Sequence, residues 1–406
     1  MRYIVICLAL VSAATLVSAE DWPQFRGPGG EGHAAAQGTP LSWSETTNVS
    51  WKTPIAGLGW SSPVIQGKQI WLTTAVDEGR SLRAVSLDQE TGKIVHDVEV
   101  FAVAEPAGIH SKNSHASPTP ILEGDRVYVH YGAHGTACLT TSGELVWKTT
   151  DLHYDHRHGP AGSPTLFEDL LIISCDGTDV QFVVALDKQT GKIRWKKHRQ
   201  GPMAYSTPLV IKANGVHQLI STGGDQVVSY DPRTGDEIWK FRYKGYSNVP
   251  RPVFGQGLVF ICSGYDSASL YAIRPDGKGD VTDTHLAWSL SRGIPLNPSP
   301  LLVDDLLFIV NDGGIATCFD AESGADYWQE RMDGNYSASP LLADAKLYFL
   351  NEEGLTTVIE PTKEFKVLAK NQLEGRTLAS LAPLDGALLL RTDTHLYRIE
   401  ESAAGK

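Results

Sequence analysis

The stretch "ALDKQTGKIRW", Ala185 to Trp195, decides the fold, because the chain keeps repeating it. "SLDQETGKIVH" ends at His96, "SYDPRTGDEIW" at Trp239 and "CFDAESGADYW" at Trp328. "TTSGELVW", ending at Trp147, is the same phrase shortened. Self-similarity on this scale marks a repeat architecture. Within each copy the chemistry is that of a tight hairpin. The Asp side chain caps the turn, the Gly takes a positive φ, and the Trp falls on the next strand. A Trp recurring around a molecule is a packing residue. Its ring covers the seam between units, and its N–H bonds a main-chain carbonyl.

A second phrase precedes each turn: a small or polar residue, usually a Pro, then a short apolar run. Its prolines are Pro63, Pro120, Pro164, Pro208, Pro252, Pro300 and Pro340, with a degenerate copy, "ASLAPL", starting at Ala379. From Pro120 onward the spacings are 44, 44, 44, 48 and 40 residues. The first interval is 57 residues, because an insertion runs from about Phe101 to His115. Each unit holds four short runs rich in β-branched and aromatic residues, such as "SPTLF", "DLLIISC", "QFVVALD" and "KIRWKKH". Four strands per 40–48 residues is the signature of a propeller blade. Eight phrases predict an all-β, single eight-bladed β-propeller of four-stranded antiparallel blades. The last unit shows only three strands. "NVSWKTPI", Asn48 to Ile55, is expected to supply the fourth and close the ring.

The domain reading follows: residues 1–19 a signal peptide, 20–47 an N-terminal extension, 48–400 the propeller. Arg2 gives a positive start, Ile4 to Val17 an apolar run, and Val17-Ser18-Ala19 a small-residue cleavage site. The alternative is an uncleaved anchor, and no membrane span is expected in the mature chain. An exported, periplasmic or extracellular monomer is the expectation. The formal charge of -12 leaves no electrostatic footprint for nucleic acid. Cys138, Cys175, Cys262 and Cys318 lie apart in apolar runs. They read as buried thiols, with one or two long-range disulfides as the alternative.

The turn "A-x-D-x-x-T-G-x-x-x-W", matched in full by Ala185 to Trp195, resembles the PQQ-like, or quinoprotein-like, propeller repeat. The resemblance covers nearly the whole mature chain. It implies the eight-bladed fold shared by PQQ-dependent dehydrogenases and the BamB-type outer-membrane assembly lipoprotein. "DWPQFRGPGGEG", Asp21 to Gly32, is similar to the mature start of secreted PQQ-like proteins of planctomycete-type bacteria. Two units depart from the pattern: His96 replaces the Trp, and "TKEFKVLAK" lacks the motif.

Strand order places the blade-to-blade loops and the second-to-third strand loops on one rim. Seven of the 13 histidines fall there, around blades two and three: His110, His115, His130, His134, His153, His156 and His158. Asp176 and Asp179, in "CDGTD", come to the same side, as do Arg251, Arg292 and Arg376. Trp60, Tyr205 and Tyr336 precede their inner strands, where they can wall the channel mouth. The candidate ligand-binding set is His110, His115, His134, His156, His158, Asp176, Asp179 and Arg251. Within it, imidazoles with a carboxylate suit a divalent transition metal, and His156, His158 and Asp176 are the candidate ligands. Solvated loop residues are the structural alternative.

Three functions compete. The first is an exported, non-catalytic binding or scaffolding propeller, its polar rim facing a protein or small polar ligand. The second, implied by the resemblance, is a PQQ-dependent dehydrogenase using PQQ with calcium. Many alcohol-oxidising members carry an adjacent Cys-Cys pair, which this chain lacks, and no quinone ligand can be matched. The third is a metal-dependent enzyme built on the histidine rim.

Overall fold

The computed structural model describes residues 21–266 and 268–401. The expected signal peptide, residues 1–19, lies outside the described residues. Eight blades ring a central axis, each a meander of four antiparallel strands. Their innermost strands are Val64–Gln66, Ile121–Glu123, Thr165–Phe167, Leu209–Ala213, Val253–Gly255, Leu301–Val303, Leu341–Ala343 and Ala382–Leu384. Each starts just after a residue of the repeated second phrase. Val49–Pro54 lies outermost in the last blade, with Val49 opposite Ile399 and Pro54 opposite His395. Strands from both ends of the sequence thus complete one blade.

The turn phrase works as its chemistry predicts. Asp187 Oδ1 accepts from the N–H groups of Gln189 and Thr190 and from the Thr190 hydroxyl. Gly191 sits at φ 72°, and a bulge follows at Ala185/Leu186. The Trp links neighbouring blades. Trp51, Trp147, Trp195, Trp288 and Trp328 donate their indole N–H to the carbonyls of Gln89, Lys188, Pro232, Ala321 and Thr362 in the next blade, at 3.0–3.1 Å. All of these rings but that of Trp328 also lie on the next blade's glycine. A Cβ on Gly191 would sit 2.5 Å from the Trp147 ring, and one on Gly235 2.6 Å from Trp195. The Thr-Gly pair therefore recurs for two reasons, its backbone and the indole lying on it.

The exceptions have local causes. Trp239 donates to Gln218 Oε1, and Gln218 passes the contact on to the Pro275 carbonyl. There the longer hairpin of blade five lays Gly279–Asp280 parallel to Glu237–Arg242, which accounts for the 48-residue interval. His96, the substitute in blade one, stacks on buried Trp71 at 5.9 Å. Blade seven, which lacks the motif, receives Trp43 from the N-terminal extension, stacked on Tyr348.

The rest of that extension threads the axis. Asp21 Oδ1 accepts from Gly67 N on the hairpin face, and Trp22 pairs antiparallel with Ile65. The chain rises to Phe25, turns through Gly27, Gly30 and Gly32, and descends with His33–Ala34 parallel to Leu342–Ala343. Gln37 then meets Asp385 and Gly386 back on the hairpin face. The axial channel is filled by a U-shaped segment of the chain itself. Cys138, Cys175, Cys262 and Cys318 are buried free thiols, so no disulfide joins them.

Candidate functional site

Above the plug, the channel mouth opens into a cavity of about 800 Å³. Its floor is a belt of hydroxyls. Ser62 N donates to Thr119 Oγ1, Thr119 N to Ser163 Oγ, and Ser163 N to Thr207 Oγ1. Ser299 N donates to Ser339 Oγ, Ser339 N to Ser380 Oγ, and Ser380 N to Ser62 Oγ. These are the residues before the repeated proline, or in the last blade before Leu381. Each hydroxyl accepts the neighbouring blade's N–H, which leaves its own proton free to donate. Blade five breaks the belt: Arg251 stands there, and its N–H donates to Ser299 Oγ. Phe25, from the plug, completes the floor.

Aromatic rings make the walls. Trp60, Tyr205, Tyr246 and Tyr265 line the cavity, with Tyr265 largely exposed. Burial pushes the Tyr205 phenol up to about 12, so it stays protonated and able to donate. Tyr246, Tyr265, Asn113 and Arg157 were not legible as site residues, because nothing in their spacing repeats. Tyr336 is fully buried in the core rather than at the mouth.

The insertion between blades one and two straps this opening. Its His110 N and Asn113 Nδ2 both donate to the His158 carbonyl of the loop leading into blade three. On the other side Lys112 Nζ lies 2.7 Å from Glu352 Oε1, which also accepts from Ser337 Oγ. Arg376 Nη1 donates to the Ser111 carbonyl, and its guanidinium lies over Trp60. The insertion is thus a bridge across the mouth, from blade three to blades seven and eight.

The histidines divide into two groups. His110 and His158 meet edge-on at 5.8 Å and line the cavity. His115, His134 and His156 form a second row beneath the strap, with ring centroids 6.1 and 5.2 Å apart. His130 is buried beyond them, bonded to Thr136. His156 Nδ1 accepts from Ala133 N, which leaves its proton on Nε2. Asp176 belongs to neither group. Its carboxylate is bound by Arg199 through Nε and Nη2, and both side chains are buried. Asp179 Oδ1 accepts from Asp155 N and Val180 N and so pins the loop of His156 and His158. Arg251 is 2 % exposed beneath Phe25 and does not reach the rim. His156, His158 and Asp176 are therefore not gathered. Among the described residues, no three His, Cys, Asp or Glu side chains are placed to hold a metal ion.

The second row titrates against the fold. Burial holds His115 and His134 below the ordinary imidazole value, His156 at about 4 and His130 at about 3. A base whose folded pKa lies below its unfolded one binds fewer protons when folded. Its stabilisation is full above about pH 6.5 and is lost as pH falls toward the folded value. His156 alone should remove about 2–3 kcal/mol between pH 7 and pH 4.5. Denaturant melts at both pH values should show His156→Phe losing less stability on acidification than wild type. An equal loss would mean that the ring is not held neutral.

The plug occupies the axis, and Asp312, the carboxylate lining the cavity, already accepts from Leu296 N and Asn297. Among the described residues no group of three or more His, Cys, Asp or Glu side chains is gathered near it.

Comparison with known proteins places the chain. A family model described as outer membrane protein assembly factor BamB matches residues 28–157, 136–241, 181–296 and 224–378. The chain is 26 % identical over 281 residues to the outer membrane protein assembly factor BamB of Burkholderia pseudomallei, spanning 67 % of this chain and 69 % of that one. It is 28 % identical over 154 residues to the quinoprotein ethanol dehydrogenase of Pseudomonas aeruginosa, covering 34 % of this chain but only 23 % of that enzyme. A europium-containing methanol dehydrogenase superposes with a TM-score of 0.68 at 11 % identity, over 93 % of this chain and 90 % of that one, which is a likeness of fold alone. With its eight blades, its inter-blade Trp–Gly contacts and a family match running from residue 28 to 378, the chain belongs to the PQQ-like propeller family of BamB-type repeats.

Proposed function

We propose that the protein is an exported, non-catalytic binding propeller that receives a polar ligand or a segment of a protein partner at the channel mouth. The strapped cavity carries this reading. It combines aromatic walls, a hydroxyl floor and positioned polar groups, which is the composition of a recognition pocket. The relatives named as assembly factors support a protein partner. No helix among the described residues is long and apolar enough to cross a membrane. The quinoprotein alternative rests on the partial dehydrogenase match and finds no donor set at the axis.

The test is capture from an envelope extract on immobilised wild type and on Tyr205→Ala/Tyr265→Ala. Removing two wall aromatics should lower recovery of a specific partner by at least about 10-fold. Equal recovery would move binding away from the cavity. Alcohol oxidation that depends on added PQQ and calcium would restore the enzymatic reading.

A further inference from the structure

The glycine-rich phrase "RGPGGEG", Arg26 to Gly32, is unexplained by the cavity and forms the apex of the axial plug. Arg26 is 3 % exposed and Arg251, at the gap in the hydroxyl belt, is 2 % exposed. The apex wraps both guanidiniums closely. A Cβ on Gly30 would lie 2.3 Å from Arg251 Nη1, and one on Gly32 2.9 Å from Arg26 Nη2. Arg26 Nη2 donates to the Glu31 and Pro300 carbonyls, both at 2.7 Å. Arg251 Nη1 donates to the Phe25 carbonyl and Nη2 to that of Pro208. Arg26 Nε, Arg26 Nη1 and Arg251 Nε have no partner.

Charge adds a second imbalance. Burial and then Arg251 lower Arg26 to about 9, and burial lowers Arg251 to about 10, so both stay cationic at neutral pH. Among the described residues, Glu31 is the carboxylate that acts on the pair, and it is partly exposed. Two cations and one carboxylate leave one positive charge over. Buried charges are normally paired, and orphaned buried donors are rare enough to need a cause. Arg391, buried beside Ser61, has a single orphan nitrogen, Nε.

We infer that the plug apex binds one small monovalent anion of the halide class, held between Arg26 and Arg251 by their unpartnered N–H groups. The site is separate from whatever the cavity receives. It fastens the plug to blade five, where the belt lacks a hydroxyl, and so fixes Phe25 as the cavity floor.

The probe is sodium chloride titrated against sodium gluconate at constant ionic strength, using the full chain. Wild type should show a saturable rise in Tm of at least about 2 °C. Arg251→Gln should need at least about 10-fold more chloride for the same rise, a loss of one charge-assisted donor. Identical, non-saturating responses in both proteins would overturn the inference. Should Arg251→Gln not fold, bromide decides the matter. Wild-type crystals grown in sodium bromide should show anomalous density within hydrogen-bond reach of Arg26 Nη1 and Arg251 Nε. A clean map there would overturn the site.

Discussion

A chain shortened to begin at Ala56 should fail to give a folded monomer, whereas one beginning at Asn48 should still close its ring. The shorter chain loses Val49–Pro54 and leaves His395–Glu400 as an open edge carrying Leu396, Tyr397 and Ile399. Those side chains belong to the apolar cluster that joins blades eight, one and seven. An unpaired edge backed by exposed apolar side chains is a template for aggregation. It also removes Trp51, whose N–H bonds Gln89 and whose ring lies on Gly92. The chain beginning at Asn48 keeps the closing strand and Trp51; it loses the plug, Trp43 and Glu45, which accepts from Lys52, Tyr397 and Glu374 N. Size-exclusion chromatography with light scattering separates the outcomes. A stable monomer from Ala56 would show that the ring does not depend on its closing strand.

The fold was legible because the same physical problem, sealing one blade against the next, recurs around the ring. Four seams lay a Trp ring on the next blade's glycine, so the phrase ending at Trp195 repeats and its exceptions at His96 and blade seven stand out. The closing strand could be read the same way, with Trp51 in the place of the repeat Trp. The site was only partly legible, because its residues solve problems that occur once. His110, His158, Trp60 and Tyr205 were found from loop order alone. The hydroxyl belt coincides with the small or polar residue before the repeated proline, but nothing in that pattern says that these residues bond one another around the ring. The contacts of the plug join residues 226 and 274 positions apart, at Phe25–Arg251 and Arg26–Pro300, and no local pattern encodes them. Arg251 therefore read as a rim cation when it is a buried axial one.

Asp176 shows the same failure at short range, and its removal should be among the most damaging single changes in the protein. Its partner, Arg199, lies 23 positions later at the end of the outer strand of the same blade. Arg199 Nη1 also donates to the carbonyl and hydroxyl of Ser221, so the pair ties blade three to blade four. Ser174 and Ser221 meet beside it at 2.8 Å. Burial raises the Asp176 carboxyl while the guanidinium opposes that rise. Removing one member of a buried ion pair leaves the other charge without a partner. Asp176→Ala should therefore cost about 3–5 kcal/mol, read as a lower denaturant midpoint. The double variant Asp176→Leu/Arg199→Met removes both charges and keeps apolar volume, so it should recover most of that loss. Partner capture at the cavity should be unchanged in the double variant, because the pair lines no part of it. A midpoint close to wild type for Asp176→Ala would show that the carboxylate does not carry the seam. Capture lost in a stable double variant would return Asp176 to the binding site.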